Sequence, residues 1–456
     1  MNNTSDVGRS KEGLLVRGWV PQPDTRGTLD LALSCATTVI LCSWSSICVN
    51  VPSPHHSRRD LLWDKWHMFC FSMLGPEFIF LLAFGQYVSA RVSRKAFHEI
   101  GYTDWTVRHG FYADMGGFVF EPRNWKPFPV NAKQLFYLVE HGYINYPDIN
   151  KSLIDDMDKY DGLSRFVTAC QIIWFTLNVI ARATQKLAIT TLELTTIGFI
   201  FCTLGFNMCW KDKPMDITTT IRLKSNYTIE HILQEAGDNA REPYRFTPLD
   251  FVGREEWICT QMWKYNVNIL RSLCLVRQRP KVRPIERLSS FNFPRLSRQA
   301  AMVTILVALT YSAIFMAAWN FEFPSTVEQL LWRICASLTL AITFLVGIIE
   351  VFLFWPGQAQ EGTTVYSKEA ESNLPGGFGG QIKLVVMRLA CKHFNNSPDK
   401  DPALDVPMKS MLLTQPICAV YTVCRIFIVL EDIIGLRALP VTVFQNVDWT
   451  VYWPHI

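Results

Sequence analysis

No Ser-His-Asp pattern, P-loop or nucleotide-binding fingerprint stands out in the sequence, which removes the commonest soluble-enzyme readings at the outset. Charge is also scarce: Asp, Glu, Lys and Arg make up 18% of the residues and the formal net charge is only +4. The basic residues cluster near the ends of apolar runs and form no stripe, so no nucleic-acid partner is expected. Cysteine is present thirteen times, but without CxxC pairs or His-rich zinc spacing, so no metal site is expected. Cys35, Cys42 and Cys48 share one apolar run, where cysteine acts as a small hydrophobe. The first residues, MNNTSDVGRSKEGLLVRGW, lack an apolar h-region, and no cleaved signal peptide is expected.

What the sequence has instead is long hydrophobic runs. Apolar residues reach 49% and aromatics 13%. Seven runs are about long enough to cross roughly 30 Å of hydrocarbon. They cover approximately 30–50, 68–90, 166–183, 187–210, 300–319, 329–354 and 411–434. The expectation is an all-α integral membrane protein, a single domain over 1–456, with about seven transmembrane helices. Three long polar loops, 91–163, 211–298 and 357–408, separate the spans. Lys and Arg number sixteen in 211–298, and the bias predicts cytosolic long loops, a cytosolic N-terminus and a lumenal C-terminus. Trp and Tyr in the final VDWTVYWPHI suit the headgroup belt.

Charges inside such runs are costly and mark partners or cavities. Glu77 follows Gly75-Pro76 well inside its run, where proline frees a backbone carbonyl. Arg182 and Glu193 flank the joint of the 166–210 hairpin and read either as site groups or as an interfacial ion pair. Arg333, Glu350, Arg425, Glu431 and Asp432 complete the set. The acidic run IDDMDKYDG, with Asp155, Asp156, Asp158 and Asp161, has neither DDxxD nor DxDD spacing and reads as the N-terminal charge of the next helix. HGFYADMGGFVF, from His109 to Phe120, reads as a packed, membrane-apposed turn.

Burial favours the neutral form of a carboxyl. A protonated carboxyl in an apolar, aromatic-lined pocket meets the need for protonating an epoxide or alkene, and aromatic faces steady the resulting cation. On that chemistry Glu77 is the first candidate acid and Glu193 the second. Trp174, Trp210, Tyr421, Arg182 and Arg425 are the candidate substrate-binding residues. A non-enzymatic membrane protein, a transporter or a receptor-like sensor, is the alternative. Against the sensor, the last run lacks an NPxxY-like sequence; against the transporter, only Gly75-Pro76 and Gln415-Pro416 hint at broken helices.

Several stretches occur together: RGTLD, GPE, HGFYADMGGF, QIIWF…IAR…LAITTLELTT…CWKDKP, FPSTVEQLLWR, and FIVLEDIIGLRALP…VDW…PHI. This set resembles a large family of fungal multi-spanning membrane proteins. Some of its members are similar to the membrane-bound terpene cyclases of meroterpenoid pathways, of the ascochlorin, ascofuranone and macrophorin type. The resemblance spans nearly the whole chain. It implies a membrane enzyme of secondary metabolism, in the endoplasmic reticulum, with no cofactor and no metal. The implied substrate is a lipophilic prenylated small molecule reached from membrane lipid, with pathway enzymes as neighbours. Two departures are Asn178, where a glutamine is expected, and Cys209-Trp210, where paired tryptophans are expected. The resemblance supplies no catalytic motif, so the candidate acids rest on burial and charge alone.

Overall fold

The computed structural model describes residues 15–21, 26–147, 149, 151–158, 162–241, 244–253, 258–273, 283–352 and 408–452. The loop expected at 357–408 lies outside them. The chain is mostly helical. Among the described residues four helices are long and apolar enough to cross a membrane: α7 (Gly162–Thr184), α8 (Thr191–Cys209), α11 (Arg298–Ile314, continued by a 3-10 turn to Asn320) and α12 (Thr326–Phe352). Two further helices pack with them, α1 (Thr28–Trp44) and α13 (Met408–Ile434). The outward faces are stripes such as Phe166, Ile173, Leu177 and Ile180 on α7, and Val423, Ile426, Leu430 and Ile433 on α13, all exposed. Such faces suit a lipid surround. The inward faces meet around α8, which touches α1, α3, α11 and α13.

The run expected as one span over 68–90 is broken. It is split between α2 (Arg58–Leu74) and α3 (Pro76–Glu99), which meet at an angle of 118°. Ser57 starts α2 with a capping box to Asp60, and Gly75 ends it, its N–H donating to the Phe71 carbonyl at 3.1 Å. Pro76 has no N–H to continue the ladder, so a new helix begins there. Both outer ends of the pair lie at one end of the bundle. Residues at the start of α2 hold the 211–298 segment: Lys65 bonds Asp216 at 2.7 Å, Arg287 pairs with Asp64, and Ser53 donates to Glu286 at 2.7 Å. The far end of α3 runs into a folded unit at the same end. The break therefore lies level with the middle of α8, where Phe80 packs on Gly205 so closely that a Cβ there would stand 2.8 Å from the ring.

This re-entrant geometry corrects the expected sidedness. The sequence reading places the N-terminal segment on the face of the 211–298 loop. Instead, strand β1 (Leu15–Arg17) pairs antiparallel with β5 (Ala438–Pro440), and Arg26 bonds Glu193 at 2.7 Å. Residues 15–27, the 185–190 joint and the segment after α13 thus share one end of the bundle, opposite the 211–298 segment. Because α2 and α3 enter and leave at one end, the parity of crossings before α7 shifts by one.

The segments expected as loops 91–163 and 211–298 fold together. Strand β2 (Phe118–Glu121) pairs antiparallel with β3 (Phe128–Val130) and parallel with β4 (Ile221–Lys224), giving the order β3-β2-β4. The end of α3, α4 (Val107–Asp114) and α5 (Ala132–Glu140) cover this sheet, with Phe97, Trp105, Phe111, Tyr112, Phe118 and Phe128 fully enclosed. HGFYADMGGFVF is therefore packed core. Asp155 and Asp158 clasp Arg108 at 2.6 and 2.5 Å, and Asp158 accepts the Met215 amide at 2.8 Å, so these two acids tie the unit to the end of the bundle. Asp161 lies outside the described residues.

His109 is the pH-sensitive point of this unit. Its ring bonds Thr106 and the Ile149 carbonyl, at 2.8 Å to the latter. Burial lowers its pKa below the ordinary 6.5, against the raising influence of the Ile149 carbonyl, with Asp155, Asp104 and Arg108 as the charged neighbours. A histidine whose folded pKa is depressed costs nothing above 6.5 and is penalised as pH falls through that value. The protection of the α4 and β2 amides, taken relative to the base-catalysed intrinsic exchange rate at each pH, is expected to fall between pH 7.5 and 5.5, and His109→Gln is expected to remove most of that change. Equal protection factors at the two pH values in the wild-type protein would contradict the assignment.

Candidate functional site

Three of the residues singled out from the sequence converge at the α2–α3 break. Glu77 stands in the first turn of α3, 7% exposed. Tyr421 of α13 donates its hydroxyl to Glu77 Oε1. One turn further along α13, Arg425 is fully enclosed; its Nε donates to the Leu74 carbonyl at 3.0 Å and its Nη2 to the Tyr311 hydroxyl. The guanidinium also lies 4.7 Å from the Phe315 ring centroid and 5.1 Å from that of Tyr311. Arg425 thus binds a carbonyl at the break in the helix pair and brings positive charge to the region of Glu77. The cluster is tightly walled by Phe78, Tyr311, Phe315 and Tyr421.

The other sequence candidates lie elsewhere. Both oxygens of Glu193 are engaged: Oε1 by Arg26, Oε2 by the Thr190 amide at 2.9 Å and the Thr190 hydroxyl at 3.0 Å. It closes the capping box of α8. Arg182 approaches Glu193 only to 4.0 Å and spends its donors on the carbonyls of Ala188, Thr442, Val443 and Gln445. The pair braces the hairpin and the C-terminal segment, which is the structural alternative weighed for it. Trp174 is 54% exposed on the outer face of α7, stacked on Trp449 at 5.4 Å, and walls no pocket with Glu77. Trp210 is enclosed at the far end of α8, where its Nε1 donates to Gln86 Oε1 at 3.0 Å. Gln86 is nine residues beyond Glu77, about 13 Å along α3.

Beside Trp210, Lys213 is 2% exposed. Its ammonium donates to Gln86 Oε1 at 2.8 Å and to the Cys48 carbonyl at 3.2 Å, and lies 4.7 Å from the Trp210 ring centroid. Burial holds its pKa down. The amine joins the start of the 211–298 segment, α3 and the segment after α1.

A cavity of about 320 Å³ opens at the opposite end of the bundle, among the 187–191 joint, the 320–324 connection and the end of α13. Its walls are largely apolar, with Leu187, Phe321, Phe323, Leu436, Leu439 and Val443 among them. Glu431 and Asp432 also line it, each 3% exposed. Among the described residues Glu431 Oε1 and Asp432 Oδ1 meet no hydrogen-bond donor. Tyr421, Arg425, Ile428 and Asp432 fall at i, i+4, i+7 and i+11, so one enclosed face of α13 leads from this cavity to Glu77. In the sequence Glu431 and Asp432 are acids near the end of an apolar run, where solvation is the readier reading. Only the fold of 436–444 back over the helix end encloses them.

A family model covers residues 6–234 and 288–456 of the chain, and it describes a family of unknown function, DUF8562. The chain belongs to this family. No curated protein and no solved structure matches it. Family membership embraces the re-entrant pair, the bundle and the cavity, and leaves out the 235–287 segment.

Proposed function

We propose that the chain is a membrane-bound, proton-initiated, metal-independent cyclase that closes rings in a farnesylated polyketide of secondary metabolism. The observation that carries the reading is the half-open apolar cavity whose wall holds two enclosed carboxyls, each with an oxygen free of any hydrogen-bond donor. The resemblance to fungal meroterpenoid cyclases points the same way. Within this reading the acid moves from Glu77 and Glu193 to the pair Glu431 and Asp432. One carboxyl gives its proton to an epoxide oxygen, and the C–O bond breaks. The chain alkene then supplies the electron pair of the new C–C bond. The other carboxylate removes a proton from the final cation to leave an alkene. Substrate and product have the same mass, so the reaction is an isomerisation. Phe321 and Phe323 stand where a developing cation needs aromatic contact.

The setting is the endoplasmic reticulum membrane of a fungal cell. Sixteen Lys and Arg lie in 211–298 and nine in 91–161, against four before residue 28. The richer end faces the cytosol by the positive-inside rule. The N- and C-terminal segments and the mouth of the cavity are then lumenal.

The broken α2–α3 pair supports a second reading, a transporter, because such proteins seat their sites at interrupted helices. One assay separates the two. The full chain in lipid vesicles is given a farnesylated aromatic epoxide, and its products are separated by chromatography and weighed. A cyclic isomer of unchanged mass, absent from empty vesicles, is expected. Uptake of the unaltered epoxide with no isomer would overturn the cyclase in favour of transport.

A further inference from the structure

The cavity at the end of α13 is lined by acids and by no base. Three carboxyl groups line it, Glu322 at the exposed rim and the enclosed Glu431 and Asp432, and among the described lining residues there is no Lys, Arg or His. The nearest guanidiniums make their hydrogen bonds elsewhere, Arg437 with Glu328 and Arg425 with Leu74 and Tyr311, and bear on Glu431 and Asp432 only through space. Unpartnered carboxylate oxygens enclosed in this way call for a positive or hydrogen-donating group. Among the described residues no three Asp, Glu, His or Cys side chains stand close enough together to hold a metal ion. About 320 Å³ is also far more room than such an ion fills, and falls within the range of small-molecule pockets.

We infer that this cavity binds a lipophilic organic cation, an alkylammonium group whose charge sits between Glu431 and Asp432 and whose tail lies on the apolar walls. Phe321 and Phe323 add cation–π attraction to the ion pairing. The group has two sources, a free amphiphilic amine or the ammonium headgroup of a lumenal-leaflet lipid. The inference rests on the cavity assigned above to catalysis, but its test requires no turnover. A protein that binds the cation and converts no epoxide refutes the reaction alone. A protein that cyclises without binding it refutes this inference alone.

The test uses the full chain in nanodiscs of digalactosyldiacylglycerol, whose headgroup is uncharged and has no ammonium, titrated calorimetrically with submicellar decyltrimethylammonium. One-to-one, salt-sensitive binding is expected, with decanesulfonate of equal chain length not binding. Glu431→Gln and Asp432→Asn are each expected to weaken binding roughly thirtyfold or more. Gly435→Leu supplies a variant that keeps every charge. A Cβ at Gly435 meets only Glu431 Oε1 within 4 Å, at 3.5 Å, and Gly435 lines the cavity, so the longer side chain is expected to extend into it. It is expected to abolish binding while the melting temperature holds. Equal affinity for the sulfonate, or full affinity in the Glu431→Gln/Asp432→Asn double variant, would overturn the inference. Repeating the titration in phosphatidylcholine assigns the source: a tenfold weaker apparent affinity identifies the lipid headgroup as competitor, and unchanged affinity a free amine.

Discussion

Arg425→Ala is expected to destabilise the protein by about 3–5 kcal/mol, the cost of removing an enclosed, hydrogen-bonded guanidinium. The guanidinium has three tasks at once. It satisfies the Leu74 carbonyl left by the helix break, it bonds Tyr311, and it brings positive charge to the region of Glu77. Removing it leaves a carbonyl, a hydroxyl and a carboxyl without their nearest donor or counter-charge in a place where no water replaces them. The measurement is thermal unfolding of the detergent-solubilised protein, followed by its monodispersity in gel filtration. The double variant Glu77→Gln/Arg425→Met, which removes both charges and keeps the volume, is expected to recover most of the loss. A single variant melting within about 2 °C of wild type would remove Arg425 from this role.

Glu431→Gln and Asp432→Asn are expected to lower turnover of the epoxide by about a hundredfold or more at unchanged melting temperature, the usual contribution of a positioned acid or base. Glu77→Gln is expected to behave in the opposite way, moving stability while turnover changes little, because its Oε1 is held by Tyr421 and its cluster is tightly walled. Each variant is therefore read twice, once by product formation and once by melting. If Glu77→Gln instead abolishes turnover in a protein that melts normally, while both α13 variants turn over at the wild-type rate, the acid lies at the break and the cavity has another use.

Much of the bundle was legible from hydropathy. The runs 166–183, 187–210, 300–319 and 329–354 fall on α7, α8, α11 and α12 within a few residues. Glu77, Tyr421 and Arg425 each stand out in the sequence, but nothing there joins them; the α2–α3 break and α13 bring them together. The direction of each run was not legible. Hydropathy is the same for a helix that crosses and for a pair that turns back, so the Gly75-Pro76 break read as a kink, and the N-terminal segment was assigned to the wrong end. The folded unit was hidden for a different reason. Its central strand pairs with one about a hundred residues later, and short strands of three or four residues leave no clear period. Trp174 and Trp210 were chosen for their rings alone. The first faces outward and the second is occupied by Gln86 and Lys213, neither of which composition reveals.

The pairing of Leu15–Arg17 with Ala438–Pro440 also sets an order of events during synthesis. The first strand leaves the ribosome more than four hundred residues before its partner. At about 5–20 residues per second it waits roughly 20–80 seconds with its backbone unpaired. Arg182 waits as well, since three of its carbonyl partners, Thr442, Val443 and Gln445, are made in the final seconds. The cavity lacks its outer wall until then, so a nascent chain that ends at Gly435 has every helix of the bundle and no complete pocket.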